Sequence, residues 1–303
     1  MNVDIDRADT WPELPLNEWR PTKDTLHLYS QIVGKLALAY APARNHWWHV
    51  SFRPTSHGYA TRRMRAQGID FQIEFDLTFH RLMVRTAHAE QSIDLRRSLS
   101  VAAFYRELWE LLGGLGIHAE IKAEPYGMPM TTPFAQDEEH RSYDPRAVTR
   151  YRRVLSDSWW ILDEFSSWFS GKSSPVQLFW HSFDLAYTRF SGARAPVDPQ
   201  ADSVTREAYS HSVISFGFWA GDDKIAEPAF YAYAAPEPEG LTEETLRPYG
   251  AQWATGMALY PYARMRAEPD PRRALLDFLQ SAYEAGVQTA SWDAGDLSSS
   301  WCP

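Results

Sequence analysis

The stretch Asp70 to Thr86, DFQIEFDLTFHRLMVRT, decides the fold class. Phe71, Ile73, Phe75 and Leu77 alternate with Asp70, Gln72, Glu74 and Asp76, the pattern of a strand with one face on a core and one in water. Leu82, Val84 and Thr86 alternate in the same way with Arg81, Met83 and Arg85. A tight turn at Thr78–Phe79 sets Asp76 opposite Arg81, Phe75 opposite Leu82 and Ile73 opposite Val84. Apolar residues then meet on one face and opposite charges on the other. Upstream, a strand from Tyr59 to Arg65 turns through Gln67–Gly68 and sets Arg65 opposite Asp70. The basic cluster Arg62, Arg63 and Arg65 is therefore expected to form a cross-strand ion-pair face rather than a phosphate site.

Helical periodicity flanks this antiparallel unit. Thr22 can cap a helix carrying Leu26, Tyr29, Val33 and Leu36, and Ser100 caps another with the stripe Val101, Phe104, Leu108, Leu111 and Leu115. Ile117–Ile121 can add a strand. Asp144–Pro145 opens a third helix, with Val148, Tyr151, Leu155, Trp159, Leu162, Phe165 and Phe169 at steps of three or four. Strands are expected near 175–180, 183–190, 212–219, 228–235 and 257–262, and Asp270–Pro271 opens the last helix. The predicted fold class is α+β: two pseudo-repeated halves, each helix, antiparallel strands, helix, with the helices packed on curved sheets. Trp48-His49 and Trp180-His181, each soon followed by Ser and Phe, suggest a weak internal repeat. The expected divisions are an irregular arm at 1–16, an N-terminal half at 17–123, a connecting loop at 124–143, an aromatic-rich C-terminal half at 144–290 and a tail at 291–303.

The chain of 303 residues is 44% apolar and 23% charged, enough for a large core and unlike a disordered chain. Its net charge of −9 argues against a protein that tracks nucleic-acid phosphates. A single cysteine, Cys302, leaves no internal disulfide and no Cys-based zinc site. No apolar run approaches the roughly 18 residues of a membrane span. The opening residues lack the order of a signal peptide, so a cytoplasmic setting without a membrane partner is expected.

The run KSSPVQLFWHSFDLAYTRFSGARAP (172–196), with TREAYSHSVISFGFW (205–219) and EPAFYAYAAPEP (227–238), resembles an uncharacterised bacterial family, domain of unknown function family 5996. WPELPLNEW (11–19), QIVGK (31–35) and NHWWHV (45–50) fit it as well. The resemblance covers nearly the whole chain. It implies no activity and no catalytic residues.

Familiar motifs fail on position. GKSS at 171–174 would need a glycine where Ser166 stands, and GGLG at 113–116 follows a helix instead of opening one. There is no Gly-x-Ser-x-Gly elbow and no His-Glu-x-x-His. What remains lies mostly in the C-terminal strands, which are apolar on both sides. Thirteen Trp, fifteen Tyr and fifteen Phe favour either tight packing or an aromatic-lined pocket. If 175–190 is continuous, Trp180, Ser182 and Asp184 share one face and His181, Phe183 and Tyr187 the other. His181 and His211 are candidate acid–base groups, with Asp184 or Glu227 as orienting carboxylate. His49, Trp48, Trp180, Arg189, Tyr231 and Tyr233 are candidate ligand contacts. His49, His181 and His211 form a weak metal candidate if the halves face each other. His46 and His49, three apart, would point to opposite sides of a strand, as would Asp184 and Arg189. Arg189 and Arg194 could hold an anion around Ser191–Gly192, or fix their loop to Asp198 or Asp202.

The leading expectation is a small-molecule-binding protein. Alternatives are an enzyme using the same residues and an interaction protein without a pocket. Cofactor and oligomeric state do not follow from the sequence.

Overall fold

A computed structural model describes residues 11–196, 198–293 and 297. The expected arm up to residue 10 and the tail, apart from 291–293 and Leu297, lie outside them.

Helix α1 (Leu16–Tyr40) is the spine of the molecule. It begins six residues before the expected Thr22 cap, because Leu16 and Trp19 extend the buried stripe to its N-terminus. It is buried nearly all round, Lys23, His27, Gln31 and Lys35 included. That is the signature of a helix enclosed by protein on more than one side. Tyr29 stacks on Phe104 of α2 (Val101–Gly114), with ring centroids 4.0 Å apart, and Trp19 packs on Tyr151 of α3 (Pro145–Ser166).

The first sheet contains β1 (Arg53–Pro54), β2 (Gly58–Ala60), β3 (Met64–Ala66), β4 (Ile69–Asp76), β5 (Arg81–Thr86) and β6 (Glu90–Asp94). Its order is β1-β2-β4-β5-β6, with β3 also on β4. The register is the expected one: Asp76 opposite Arg81, Phe75 opposite Leu82, Ile73 opposite Val84 and Arg65 opposite Asp70. The strand expected over 59–65 is divided. Thr61 ties the break to β4, its amide donating to the Ile73 carbonyl (2.8 Å) and its hydroxyl accepting from the Ile73 amide (3.1 Å). No strand forms at 117–121, where the Gln67 side chain binds the backbone of His118 in place of a ladder.

The second sheet contains β7 (Gln177–Phe179), β8 (Asp184–Arg194), β9 (His211–Trp219), β10 (Ala229–Ala235), β11 (Gln252–Ala254) and β12 (Met257–Pro261), in the order β11-β12-β10-β9-β8-β7. Helices α3 and α6 (Pro271–Thr289) pack on its inner side, while α4 (Ser203–Ala208) and α5 (Tyr262–Met265) are single turns at its ends. Trp180–Phe183 form a turn with Phe183 at φ 55°, so 175–190 is two strands. The side-chain alternation assumed across it breaks there.

Phe52 joins the sheets. Its amide donates to the Leu178 carbonyl (2.9 Å) and the Leu178 amide donates back (3.1 Å). One buried cluster runs from Trp11 to Ala285 through both halves. Thus the chain is α+β, with two antiparallel sheets and helices before and after each. An internal duplication does not follow, since the strand orders differ. Among the described residues no helix is long and apolar enough to cross a membrane.

Candidate functional site

Strand register builds one polar cluster on the side of the second sheet that turns away from α3 and α6. Asp184 stands opposite Trp219, Gly217 opposite both Ala186 and Tyr231, and Ser215 opposite both Thr188 and Tyr233. Gly217 is required there. A Cβ would fall on the phenol of Tyr231, which lies flat across the glycine. The Tyr231 hydroxyl thereby reaches Asp184 and donates to Oδ2, while the Ser182 hydroxyl donates to Oδ1. Asp184 is 8% exposed and Tyr231 5%. Among the described residues no Lys or Arg forms an ion pair with Asp184. Its charge is held by two hydroxyls alone, an arrangement that asks for a further donor.

His181 and Ser182 are half-buried and lead from Asp184 to the surface. Burial lowers the His181 pKa, and the Asp184 charge opposes that effect without cancelling it. The imidazole is therefore neutral at pH 7 and able to accept a proton. Burial, followed by the Asp184 charge, raises Tyr231 well above the ordinary phenol range, so its hydroxyl remains a donor. Beside this group Tyr233 stacks on Tyr231 and shares a hydrogen bond with Tyr209 (3.0 Å), and Thr188 shares one with Ser215 (2.9 Å).

Two residues that the sequence reading missed support the site from α1. His27 Nε2–H donates to the Trp180 carbonyl (2.9 Å), and its ring stacks on Phe183. Gln31 brackets Tyr126, accepting from its amide and donating to its carbonyl, both at 2.8 Å. Their signal was the polar row Lys23, His27, Gln31 and Lys35 at steps of four along an otherwise apolar helix.

The other candidates disperse. Trp180 is packed into α1 at Gly34, where a Cβ would collide with the indole, and it acts as a wedge between elements. Arg189 is 1% exposed and faces α3, donating to the Phe165 carbonyl (2.6 Å) and the Tyr187 hydroxyl (3.3 Å). Its guanidinium lies 3.8 Å from the Phe165 ring centroid and 4.4 Å from that of Tyr283. It is on the opposite face from Asp184, as expected, and does not join the exposed Arg194 around an anion. Asp202 caps α4 and Asp198 accepts from the Gln200 amide, so neither fixes those arginines.

His49, His181 and His211 do not converge. His49 stacks on Trp47 and accepts from the Arg44 amide (3.2 Å). His211 lies 5.9 Å from His46, centroid to centroid. Among the described residues no group of three or more His, Cys, Asp or Glu could hold a metal. Trp48 belongs to the His46 cluster: Lys172 Nζ donates to His46 Nε2 (2.7 Å), and His46 Nδ1–H donates to the Glu207 carbonyl (3.1 Å). Glu227 is exposed and lines a separate cleft of about 320 Å³ with Glu13, Leu16 and Tyr262. On the helix side the second sheet is filled. Between Ile214, Ala232, Leu241 and Gly286 there is no room for a water molecule.

No curated protein and no solved structure matches the chain. A family model, described as a family of unknown function (DUF5996), matches residues 11–299. With that match over nearly its whole length, and with the quoted runs of both halves inside it, the chain belongs to the DUF5996 family.

Proposed function

We propose that this protein binds a small organic molecule carrying an amine or other cationic nitrogen, with Asp184 as the anchoring charge. One observation carries the reading: Asp184 is a buried carboxylate that holds two hydroxyls and, among the described residues, pairs with no Lys or Arg, beside half-buried His181 and Ser182. A ligand ammonium at Asp184 would supply the missing countercharge in a low-dielectric setting. Trp219, paired with Asp184 across the ladder, would offer its ring to the same cation. Ser182 and Tyr231 hold the carboxylate in place before a ligand arrives.

A second reading, acid–base catalysis at the same place, draws support from neutral His181 lying under the influence of Asp184. A cytoplasmic setting, with neither nucleic acid nor membrane as partner, belongs to the proposal and fits the net charge of −9.

The test is a thermal-shift screen of primary, methylated and quaternary amines against matched carboxylates and neutral analogues. Stabilisation confined to the amines supports the proposal, and conversion of the bound amine, read by mass spectrometry, establishes the catalytic version. Stabilisation by the carboxylates alone, or by none of the panel, overturns it.

A further inference from the structure

A second cluster of opposite sign lies where the N-terminal half turns into its first strands. Arg44, Arg53 and Arg62 form no ion pair and no side-chain hydrogen bond among the described residues, in a chain of net charge −9. Cross-strand pairing sets Arg53 opposite Ala60, two residues before Arg62 at the break between β2 and β3. Arg44 precedes the 3-10 turn Asn45–Trp47. The positive charges of Arg53 and Arg44 both bear on Arg62, and after burial they hold its pKa down to about 10.

Two buried N–H groups at this place have no acceptor among the described residues: Arg62 Nε and the Trp47 indole nitrogen. Trp47 stacks on His49, ring centroids 5.6 Å apart. His49 Nδ1 accepts from the Arg44 amide, so its neutral ring carries the proton on Nε2 and is a further donor. Arg62 lowers the His49 pKa as well, which links the indole–imidazole pair to the guanidinium cluster. The sequence reading assigned Arg62 to an ion-pair face with Arg63 and Arg65. Those two do pair with Asp70, but Arg62 does not.

The side chains of Arg44, Arg53, Arg62, Trp47 and His49 can all donate, and among the described residues no carboxylate pairs with any of the three arginines. Buried donors without acceptors and clustered like charges are both unfavourable until an anion arrives. Guanidinium forks match the oxygens of a phosphoryl group. We infer that Arg44, Arg53 and Arg62, with Trp47 beside them, form a binding site for a phosphate group, either free phosphate or a small phosphate monoester. The site is independent of Asp184 and stands or falls separately.

The experiment measures the melting temperature of the full chain with inorganic phosphate, with glycerol 3-phosphate, a monoester without an amine, and with chloride at matched ionic strength, each at about 10 mM. Phosphate or glycerol 3-phosphate should stabilise beyond chloride, and a larger effect of glycerol 3-phosphate marks the monoester as the ligand. In R62Q and in the R44Q/R53Q double variant, phosphate binding should weaken about tenfold or more. Without phosphate, the double variant should melt no lower than the parent, since a like-charge contact has been removed. Variants that retain the full phosphate effect would overturn the inference, as would phosphate that does no better than chloride.

Discussion

The Tyr231 hydroxyl donates to Asp184 across the bare backbone of Gly217, and this relationship fixes the anionic end of the candidate site. It depends on three strands at once, since Asp184 opens β8, Gly217 lies in β9 and Tyr231 in β10. Tyr231→Phe removes one hydrogen bond to a buried charge and should cost about 1.5–3 kcal/mol. Gly217→Ala presses on the Leu185 carbonyl as well as the Tyr231 ring and should cost about 1–3 kcal/mol or more. Urea unfolding checks both. Equal stability of Tyr231→Phe and the parent would mean that the bond contributes nothing.

Gly34 sits inside α1, where alanine is favoured over glycine by about 1 kcal/mol. Gly34→Ala should nevertheless destabilise, by about 1–3 kcal/mol, because its methyl enters the Trp180 indole. In a Trp180→Leu background the same change should become neutral or stabilising. A double-mutant cycle by chemical denaturation reads the coupling, and additivity would refute the wedge.

Burial, with Lys23 adding to it, lowers His27 from 6.5 to about 3. As pH falls below 6.5 the unfolded chain takes up this proton and the folded chain does not. The unfolded state then binds more protons, so stability drops by about 1.4 kcal/mol per pH unit until pH nears the folded value. Burial also lowers His46, His49, His80 and His181, with the same sign. Asp157, raised by burial to about 6, acts in the opposite sense over part of the window. The contrast between parent and His27→Gln isolates the histidine. The variant should lose less stability between pH 6 and 4, and parallel profiles in guanidinium titrations would contradict the assignment.

Arg189 has aromatic rings, a carbonyl and a hydroxyl around it and, among the described residues, pairs with no carboxylate. Lysine there would bury a more strongly hydrated charge with no planar fork. Methionine would remove the charge and fill much of the space. Arg189→Lys should therefore destabilise more than Arg189→Met, the difference being about 1–3 kcal/mol. Calorimetric melting in which the lysine variant is the more stable would reverse this account.

The sheet registers were legible where chemistry alternates along the chain. Asp70 to Thr86 pairs as read because a slip of one residue would turn Ile73 and Phe75 off the apolar face and part Asp76 from Arg81. Asp144–Pro145 and Asp270–Pro271 marked helix starts because cap and fixed φ act locally. Distant partners were not legible. The short strand β11 went unseen, and α1 was read too short since nothing local announces that Leu16 and Trp19 are buried. At the site, Asp184, His181 and Tyr231 were singled out, and the structure brings them together. Trp180 was set on the Asp184 face by assuming an unbroken strand, which the turn at 180–183 interrupts; Arg189 lies on the opposite face of β8, as its spacing from Asp184 required, and Glu227 sits on an exposed loop.

The central claim is that Asp184 anchors a cationic nitrogen, and calorimetric titration with the best-stabilising amine of the screen tests it most directly. The account predicts that Asp184→Asn, which keeps the side chain's shape, weakens binding at least about tenfold, while Asp223→Asn at an exposed acid leaves it unchanged. Undiminished amine binding by the Asp184→Asn protein, shown to be folded by its melting curve, would contradict the claim.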